Sequence, residues 1–243
     1  TFGGKRYLAQ PKLDGSALSL EYIAGNLHRA ATRGSGERGE DVTLNAKLVA
    51  NVPLRLNRPV DCHIRGEVVM PLAVFEEKYR DVSPNPRNLC SGALRQKHGD
   101  GKADAADLVF WAYDVKFPNE SPQAIYDSEL LYFLQNSIGI EPAPWQIFDS
   151  KSPQNEMIQY TEEWSLKRSD YDFEIDGIVF KLDSLSQRDR LGFTAHHPRW
   201  ALAWKFPPEE ATSVLLHVDW QTGRTGNVTP VARIAPQTVG GVT

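Results

Sequence analysis

Three lysines lie inside apolar, strand-like runs, and they restrict what this chain can fold into. Lys12 opens a half-apolar strand at Lys12-Leu13-Asp14-Gly15, Lys181 sits between Phe180 and Leu182, and Lys205 sits between Trp204 and Phe206. Residues two apart in a strand share a face, so Lys12 and Asp14 point the same way. An ammonium on an apolar strand is costly unless an anion meets it or the opposite face is open. Taken singly, each lysine reads as an edge-strand residue reaching solvent. Taken together, with the acids Asp14, Glu67 and Asp176, the three predict a sheet-lined pocket that holds a phosphate.

The rest of the pattern is strand-rich. Leu18 to Tyr22 alternates, turns at Ala24-Gly25-Asn26 and resumes from Leu27 to Ala31, which predicts a hairpin followed by a glycine-containing polar loop from Thr32 to Gly39. Ile64 to Met70 reads as a strand, with Pro71 opening a helix through about Tyr79. Leu108 to Val115 is a nearly continuous apolar run, the mark of a central strand. Ser128 to Ile138 carries leucines and isoleucine at helical spacing and stops at Gly139, and Ser152-Pro153 starts a second helix to about Lys167. Ile178 to Leu182 and Ala201 to Phe206 are two further strands, giving strands interrupted by two or three helices. The style changes at Pro207-Pro208. Beyond it, Val214 to Trp220 and Val228 to Ile234 flank Gly223-Arg224-Thr225-Gly226, the first hairpin of a separate small β-domain. The expected domains are therefore 1–208 and 209–243.

Charge and cysteine content narrow the function classes. The net charge is −4, yet Asn119 to Glu163 holds eight acids against one base, leaving 26 bases and 23 acids elsewhere, so one face can meet a polyanion. The acidic stretch is equally compatible with the solvated side of two helices. No apolar run approaches the roughly 20 residues that cross a bilayer, and no signal pattern opens the chain, so a cytoplasmic protein without a membrane partner, and a monomer, is expected. Cys62 and Cys90 are too few and too far apart for a zinc finger, and read as small buried hydrophobes.

Arginines extend the anion-binding signal. Arg33 lies in Thr32-Arg33-Gly34-Ser35-Gly36, where a guanidinium can fork onto a phosphate that the glycine backbone approaches closely. Arg87 and Arg95 lie in the segment from Asn85 to Gln96, eight apart, where one helix face can present both.

Read in order, these motifs resemble one family. Lys12-Leu13-Asp14-Gly15 resembles the Lys-x-Asp-Gly signature of DNA ligases, RNA ligases and capping enzymes. The loop at Thr32 to Thr43, Arg65-Gly66-Glu67-Val68, Asn85-Pro86-Arg87-Asn88 with Gly92-Ala93-Leu94-Arg95-Gln96, Ile175 to Lys181, Pro198-Arg199-Trp200-Ala201 and Ala203 to Pro207 are similar to bacterial NAD-dependent DNA ligases. The resemblance covers essentially the whole chain. It implies an α+β fold: a nucleotidyltransferase (ATP-grasp-like) adenylation domain of antiparallel sheets with flanking helices, followed by the first strands of an incomplete oligonucleotide-binding (OB-type) barrel.

It also implies roles. The matching lysine, Lys12, would attack the α-phosphorus of NAD, release nicotinamide mononucleotide and become lysyl-AMP; AMP then passes to the 5′-phosphate of nicked double-stranded DNA and is displaced by the 3′-hydroxyl. Lys12, Asp14 and Lys181 are the expected catalytic residues. Gln10, Leu13, Arg33, Glu67, Tyr113, Arg168, Asp176 and Lys205 are the expected nucleotide-binding set. Arg33, Lys181 and Lys205 would bear on the phosphate, Tyr113 would stack on adenine, and Glu67 would meet a ribose hydroxyl or hold Mg2+ through water. Arg87 and Arg95 would contact the nick phosphate.

Two departures qualify the match. Gln10 stands where the family carries glutamate, so it can bond the adenine edge but brings no charge. The small helical segment that binds the nicotinamide mononucleotide half of NAD has no counterpart before Lys12, and the later modules are absent too, so slow reaction with NAD is the expectation. Two other readings stay open: an ATP-dependent polynucleotide ligase or capping enzyme, and a non-catalytic DNA-binding remnant.

Overall fold

The computed structural model describes residues 5–32, 39–97, 101–119, 123–149, 153–194, 197–207, 210–237 and 239. The chain divides into two compact units, Thr1–Phe206 and Pro207–Thr243.

The first unit is built on two four-stranded sheets. In chain order its elements are β1 (Tyr7–Leu13), β2 (Ser16–Ile23), β3 (Asn26–Thr32), α1 (Thr43–Ala46), β4 (Cys62–Val69), α2 (Leu72–Lys78), α3 (Pro86–Arg95), β5 (Val109–Lys116), α4 (Asp127–Phe133), β6 (Gln146–Phe148), α5 (Pro153–Leu166), β7 (Ile175–Leu182), α6 (Leu185–Leu191) and β8 (Ala201–Lys205). One sheet runs β6-β1-β7-β8 and the other β3-β2-β4-β5. Every named strand pair within them is antiparallel.

Local chemistry explains most of these elements. The β2–β3 hairpin turns at Ala24 and Gly25, both with positive φ (47° and 75°), the backbone that matches strand twist in a two-residue turn. Asn85 caps α3 by accepting from the Asn88 N–H at 3.0 Å, with Pro86 in the first turn. At the other end, the Asn45 amide donates to the carbonyls of Leu94 (2.8 Å) and Gln96 (2.7 Å) and holds the helix terminus. Pro11 lies beyond the last β6 pair at Ala9, on the part of β1 that has only β7 as neighbour.

The sequence expectations need adjusting in four places. Lys12 sits at the end of a strand that begins at Tyr7, not at its start. Pro71 is the cap rather than the first residue of α2. The predicted helix over Ser128–Ile138 is α-helical only to Phe133 and then widens to a π turn over Leu134–Ile138, closed by left-handed Gly139. Six α-helices are present among the described residues, against two or three expected, because α1 and α6 are too short and too polar to show a periodicity. Ser152 lies outside the described residues.

Two apolar clusters hold the unit together. The larger joins Leu18, Leu20, Ile64 and Phe110 of the second sheet to Leu89, Cys90 and Leu94 of α3 and to Leu130, Leu131 and Leu134; it also takes in Leu8 of β1. Each such side chain contributes about 1.5–3 kcal/mol on burial. The second cluster packs Tyr7, Ala9, Ile178 and Phe180 of the first sheet with Phe148 and Trp164, and includes Val69 of β4. Cys62 and Cys90 are free and buried, and burial pushes both thiols up to about 12, as expected of cysteines that act as hydrophobes.

This distribution fixes which faces meet. Leu8, Gln10 and Lys12 alternate along β1, and Leu8 belongs to the second sheet's cluster, so this face of the first sheet looks toward the second. Val69 belongs to the first sheet's cluster and Trp111 packs against it, so their face of the second sheet looks back. Lys12, Lys181 and Lys205 all belong to the face of the first sheet that looks toward the second.

The second unit is the hairpin β9 (Leu215–Thr222) and β10 (Val228–Ile234), paired from Val228 with Thr222 to Ile234 with Leu215. Gly226 takes φ 83° in its turn. Val214, Leu215, Leu216, Trp220, Val228 and Ile234 are exposed. No helix among the described residues is long and apolar enough to cross a membrane.

Candidate nucleotide-binding site

A row of three residues defines the site. Lys12 of β1 pairs with Gly177 of β7, which pairs with Lys205 of β8. Directly opposed residues share a face, so the two lysines flank a glycine on one side of the sheet. An added Cβ at Gly177 would lie 2.1 Å from the Trp204 carbonyl oxygen, so only glycine lets β8 approach this closely.

Asp176 reaches Lys12 through an irregularity. The β1–β7 register skips between Lys12, opposite Gly177, and Leu13, opposite Ile175, leaving Asp176 as the extra residue. Its carboxylate accepts from the Lys12 Nζ at both oxygens, 2.7 Å each, with both side chains about 30% exposed.

Acids and an arginine from other elements surround the ammonium. Asp14 follows β1, donates its N–H to the Glu174 carbonyl (2.9 Å) and pairs through Oδ1 with Arg87 Nη1 of α3 at 2.8 Å. Glu67 of β4 is partly buried, and desolvation pushes its carboxyl from 4.5 up to about 7; Lys12 and Arg87 pull it down, Asp14 pushes it up and the Gly15 N–H pulls it down. Glu67 therefore sits near its midpoint at neutral pH. Arg95, at the end of α3, pairs through Nε with Glu40 at 2.6 Å on the surface.

Lys181 occupies a different depth. It pairs with Leu8, four residues along β1 from Lys12, and its side chain is only 8% exposed. Its Nζ donates to the Tyr113 carbonyl (2.8 Å) on β5 and lies 3.1 Å from Asp127 Oδ2. Gln10 lies between the two lysines along β1, buried, with its Nε2 donating to the Ala143 carbonyl at 3.4 Å. Leu13 is buried in the wall of the first sheet. Tyr113 is partly exposed, at the point where the β4–β5 register skips between Arg65 and Gly66.

The structure thus brings Lys12, Asp14, Glu67, Arg87 and Asp176 into one charged cluster, adds Lys205 to the same row, and sets Lys181, Gln10 and Tyr113 deeper. Arg168 lies in the short 3₁₀ turn Arg168–Asp170 after α5, half-buried. Arg33 lies outside the described residues. Asp127 and Arg188, which pair at 2.7 Å beside Lys181, escaped the sequence reading; they are distant in sequence from Lys181's strand signal or lie on α6, which shows no periodicity. Among the described residues no group of three or more histidine, cysteine or acidic side chains is arranged to hold a metal.

Two solved chains share the fold: one described as Pmar-Lig_PreS3 (TM-score 0.52, 14% identity, 96% of this chain and 53% of that one) and one as Pmar-Lig_Pre (TM-score 0.50, 16% identity, the same coverage). The architecture is α+β, two four-stranded antiparallel sheets with flanking helices. The family model for the NAD-dependent DNA ligase adenylation domain matches residues 3–209, and the chain belongs to that family. Curated relatives include the DNA ligases of Magnetococcus marinus (43% identical, 98% of this chain, 32% of the relative) and Shouchella clausii (41%, 98% and 36%). The chain therefore spans about a third of the length of the curated relatives it matches.

Proposed function

We propose that this chain is the catalytic core of an NAD-dependent DNA ligase, in which Lys12 forms lysyl-AMP from NAD and the AMP is passed to the 5′-phosphate of a nick, then displaced by the 3′-hydroxyl. The observation that carries this reading is the row Lys12–Gly177–Lys205 with Asp176 clasping the Lys12 ammonium. A surface lysine has no need of a buried-edge strand, a spacing glycine and a bidentate acid; a nucleophile that must be aimed has.

Each residue then has a task. Asp176 orients Lys12, whose amine attacks in its neutral form, making the N–P bond as the bond to nicotinamide mononucleotide breaks. Lys205 and Arg33 balance charge on the transferred phosphate. Asp14 positions Arg87, and Arg87 and Arg95 meet the nick phosphates, each giving up a weak surface pairing in exchange. Gln10 and Lys181 lie at the inner, base end of the cleft rather than beside the phosphate, with Tyr113 stacking on adenine. With Nε2 committed to Ala143, the Gln10 carbonyl oxygen remains to accept from the adenine amino group.

Magnesium fits this donor set loosely. Glu67 and its neighbour Asp14 supply hard oxygen atoms, and a divalent ion would be held by Glu67 through water and by the nucleotide itself, stabilising charge on the phosphate. The hairpin β9–β10 begins an oligonucleotide-binding barrel, consistent with its exposed apolar side chains.

Intact mass after incubation with NAD and magnesium tests the reading: a gain of one AMP, about 329 Da from its formula, is expected for the parent and not for Lys12→Ala. A gain from ATP or GTP but not from NAD would instead select the ATP-dependent or capping reading. A Lys12→Ala variant that still acquires AMP would refute Lys12 as the nucleophile.

A further inference from the structure

We infer that Asp127 is a positioning residue for nucleotide recognition: its buried carboxylate fixes the Lys181 ammonium at the inner end of the cleft, and through Lys181 the Tyr113 segment. The inference rests on the proposed adenylate-binding cleft and adds a residue from outside it.

The geometry is a chain of contacts across four elements, α4, α6, β7 and β5. Asp127 opens α4, is 1% exposed, and uses one oxygen, Oδ2, for both Lys181 of β7 (3.1 Å) and Arg188 of α6 (2.7 Å). Arg188 is itself immobilised, donating through Nε to the Leu182 carbonyl and lying 4.4 Å from the Trp200 ring centroid. On the other side, Lys181 crosses from one sheet to the other and donates to the Tyr113 carbonyl. That bond falls where the β4–β5 register passes from Arg65–Asp114 to Gly66–Ala112, with Tyr113 the extra residue of β5 at the irregularity.

Charge assigns the anchoring role to Asp127 rather than to its neighbour Asp114. Burial pushes the Asp114 carboxyl up despite Lys181. Burial alone would raise Asp127 as well, but Lys181 and Arg188 together hold its carboxyl below the usual range. Asp127 is thus the anion that two buried cations share, and deleting it would leave both uncompensated. An ammonium has three donors. Asp127 and Tyr113 take two, fixing the direction of the third, which is then available to an acceptor on the bound base beside the Gln10 carbonyl oxygen. An adenine edge offers an amino donor next to a ring acceptor, whereas guanine offers the reverse order.

Titration calorimetry of the purified chain with AMP and with GMP tests this. In the parent AMP binds better than GMP. Asp127→Asn should weaken AMP about tenfold, the equivalent of one charged hydrogen bond, and narrow the AMP-to-GMP ratio by a similar factor, while Asp127→Glu keeps most of the ratio. Arg188→Met removes the other partner; it should lower the Tm yet leave the ratio unchanged. If Asp127→Asn alone does not fold, the Asp127→Asn/Arg188→Met pair, which orphans one cation fewer, gives the same readout. A parental ratio in Asp127→Asn, or in the Asp127→Asn/Arg188→Met pair where that is used, or an equal loss of ratio in Arg188→Met, overturns the inference. A parent that binds AMP no better than GMP overturns the adenine reading beneath it, a result distinct from the first two.

Discussion

Replacing Glu67 by glutamine should stabilise the protein at pH 8 and remove a pH dependence that the parent shows below it. Burial raises the Glu67 carboxyl from 4.5 to about 7 in the folded state, a rise that Asp14 reinforces and Lys12 and Arg87 only partly offset. In the unfolded chain the same group titrates near its ordinary value. Between these values the folded protein holds a proton that the unfolded chain has released. Raising the pH through this window therefore favours unfolding, with the loss complete above about pH 7. At 1.36 kcal/mol per pH unit the interval corresponds to roughly 3 kcal/mol, and solvent around the partly exposed side chain reduces it to about 2. The glutamine side chain keeps an acceptor for the Gly15 N–H and does not titrate. Urea unfolding followed by tryptophan fluorescence, on parent and Glu67→Gln at about pH 5 and pH 8, isolates the group, since other titrations cancel in the difference. The variant's advantage should grow by about 2 kcal/mol from the lower to the higher pH. An advantage that is constant with pH would show that Glu67 is ionised and well solvated, and the electrostatic picture of the site would fall with it.

Further outcomes follow from the same contacts. Magnesium should stabilise the parent near pH 8 more than Glu67→Gln, read as a difference in Tm shift; equal shifts would remove Glu67 from any metal site. Gly177→Ala should cost about 2–4 kcal/mol, because the new Cβ meets the Trp204 backbone and β8 must move, whereas Gly92→Ala on α3, with nothing within 4 Å of its Cβ, should gain up to about 1 kcal/mol by helix propensity. Thermal unfolding of the two variants separates these signs. Arg87→Ala should change stability by less than about 0.5 kcal/mol, its ion pair being exposed, yet weaken nicked-DNA binding and lower the slope of log K against log salt by about 1. An unchanged slope would leave Arg87 as a partner of Asp14 and nothing more.

What the sequence made legible were the features encoded locally. The β2–β3 hairpin was readable because Ala24-Gly25 supplies the turn and the flanking residues alternate, and α3 because Asn85-Pro86 writes its own start. The start of β1 was not, since Tyr7 to Gln10 is a buried run without alternation, and the lysine that draws attention falls at its end. Helix α6 escaped because Leu185 to Leu191 carries only two apolar residues, and tertiary contacts from Arg188 to Asp127 and Leu182 do the specifying. The three lysines were readable as a group, but their division was not: β-register alone separates Lys12 and Lys205, in one row, from Lys181, four residues deeper. No spacing rule joins Lys12 to Asp176, 164 residues away, or Lys181 to Asp127.

The dipeptide Asp176-Gly177 shows how little sequence the site needs once the sheet exists. Gly177 admits the Trp204 backbone at a distance no side chain would tolerate, which sets Lys205 one strand from it on one side as Lys12 is on the other. Asp176, being the residue left over by the register skip, can turn to Lys12 although it neighbours a residue of the opposite strand parity. The two effects are in tension. The strand spacing gathers like charges, and the skipped residue supplies the anion that allows them to stay gathered in the absence of a phosphate. On the proposed function, an incoming phosphate would meet the same lysines and take over part of that task, so that binding would loosen the Asp176 clasp when Lys12 must be free to react. A clasp of about 30% exposed, bidentate geometry suits that exchange: strong enough to orient the amine, solvated enough to yield it.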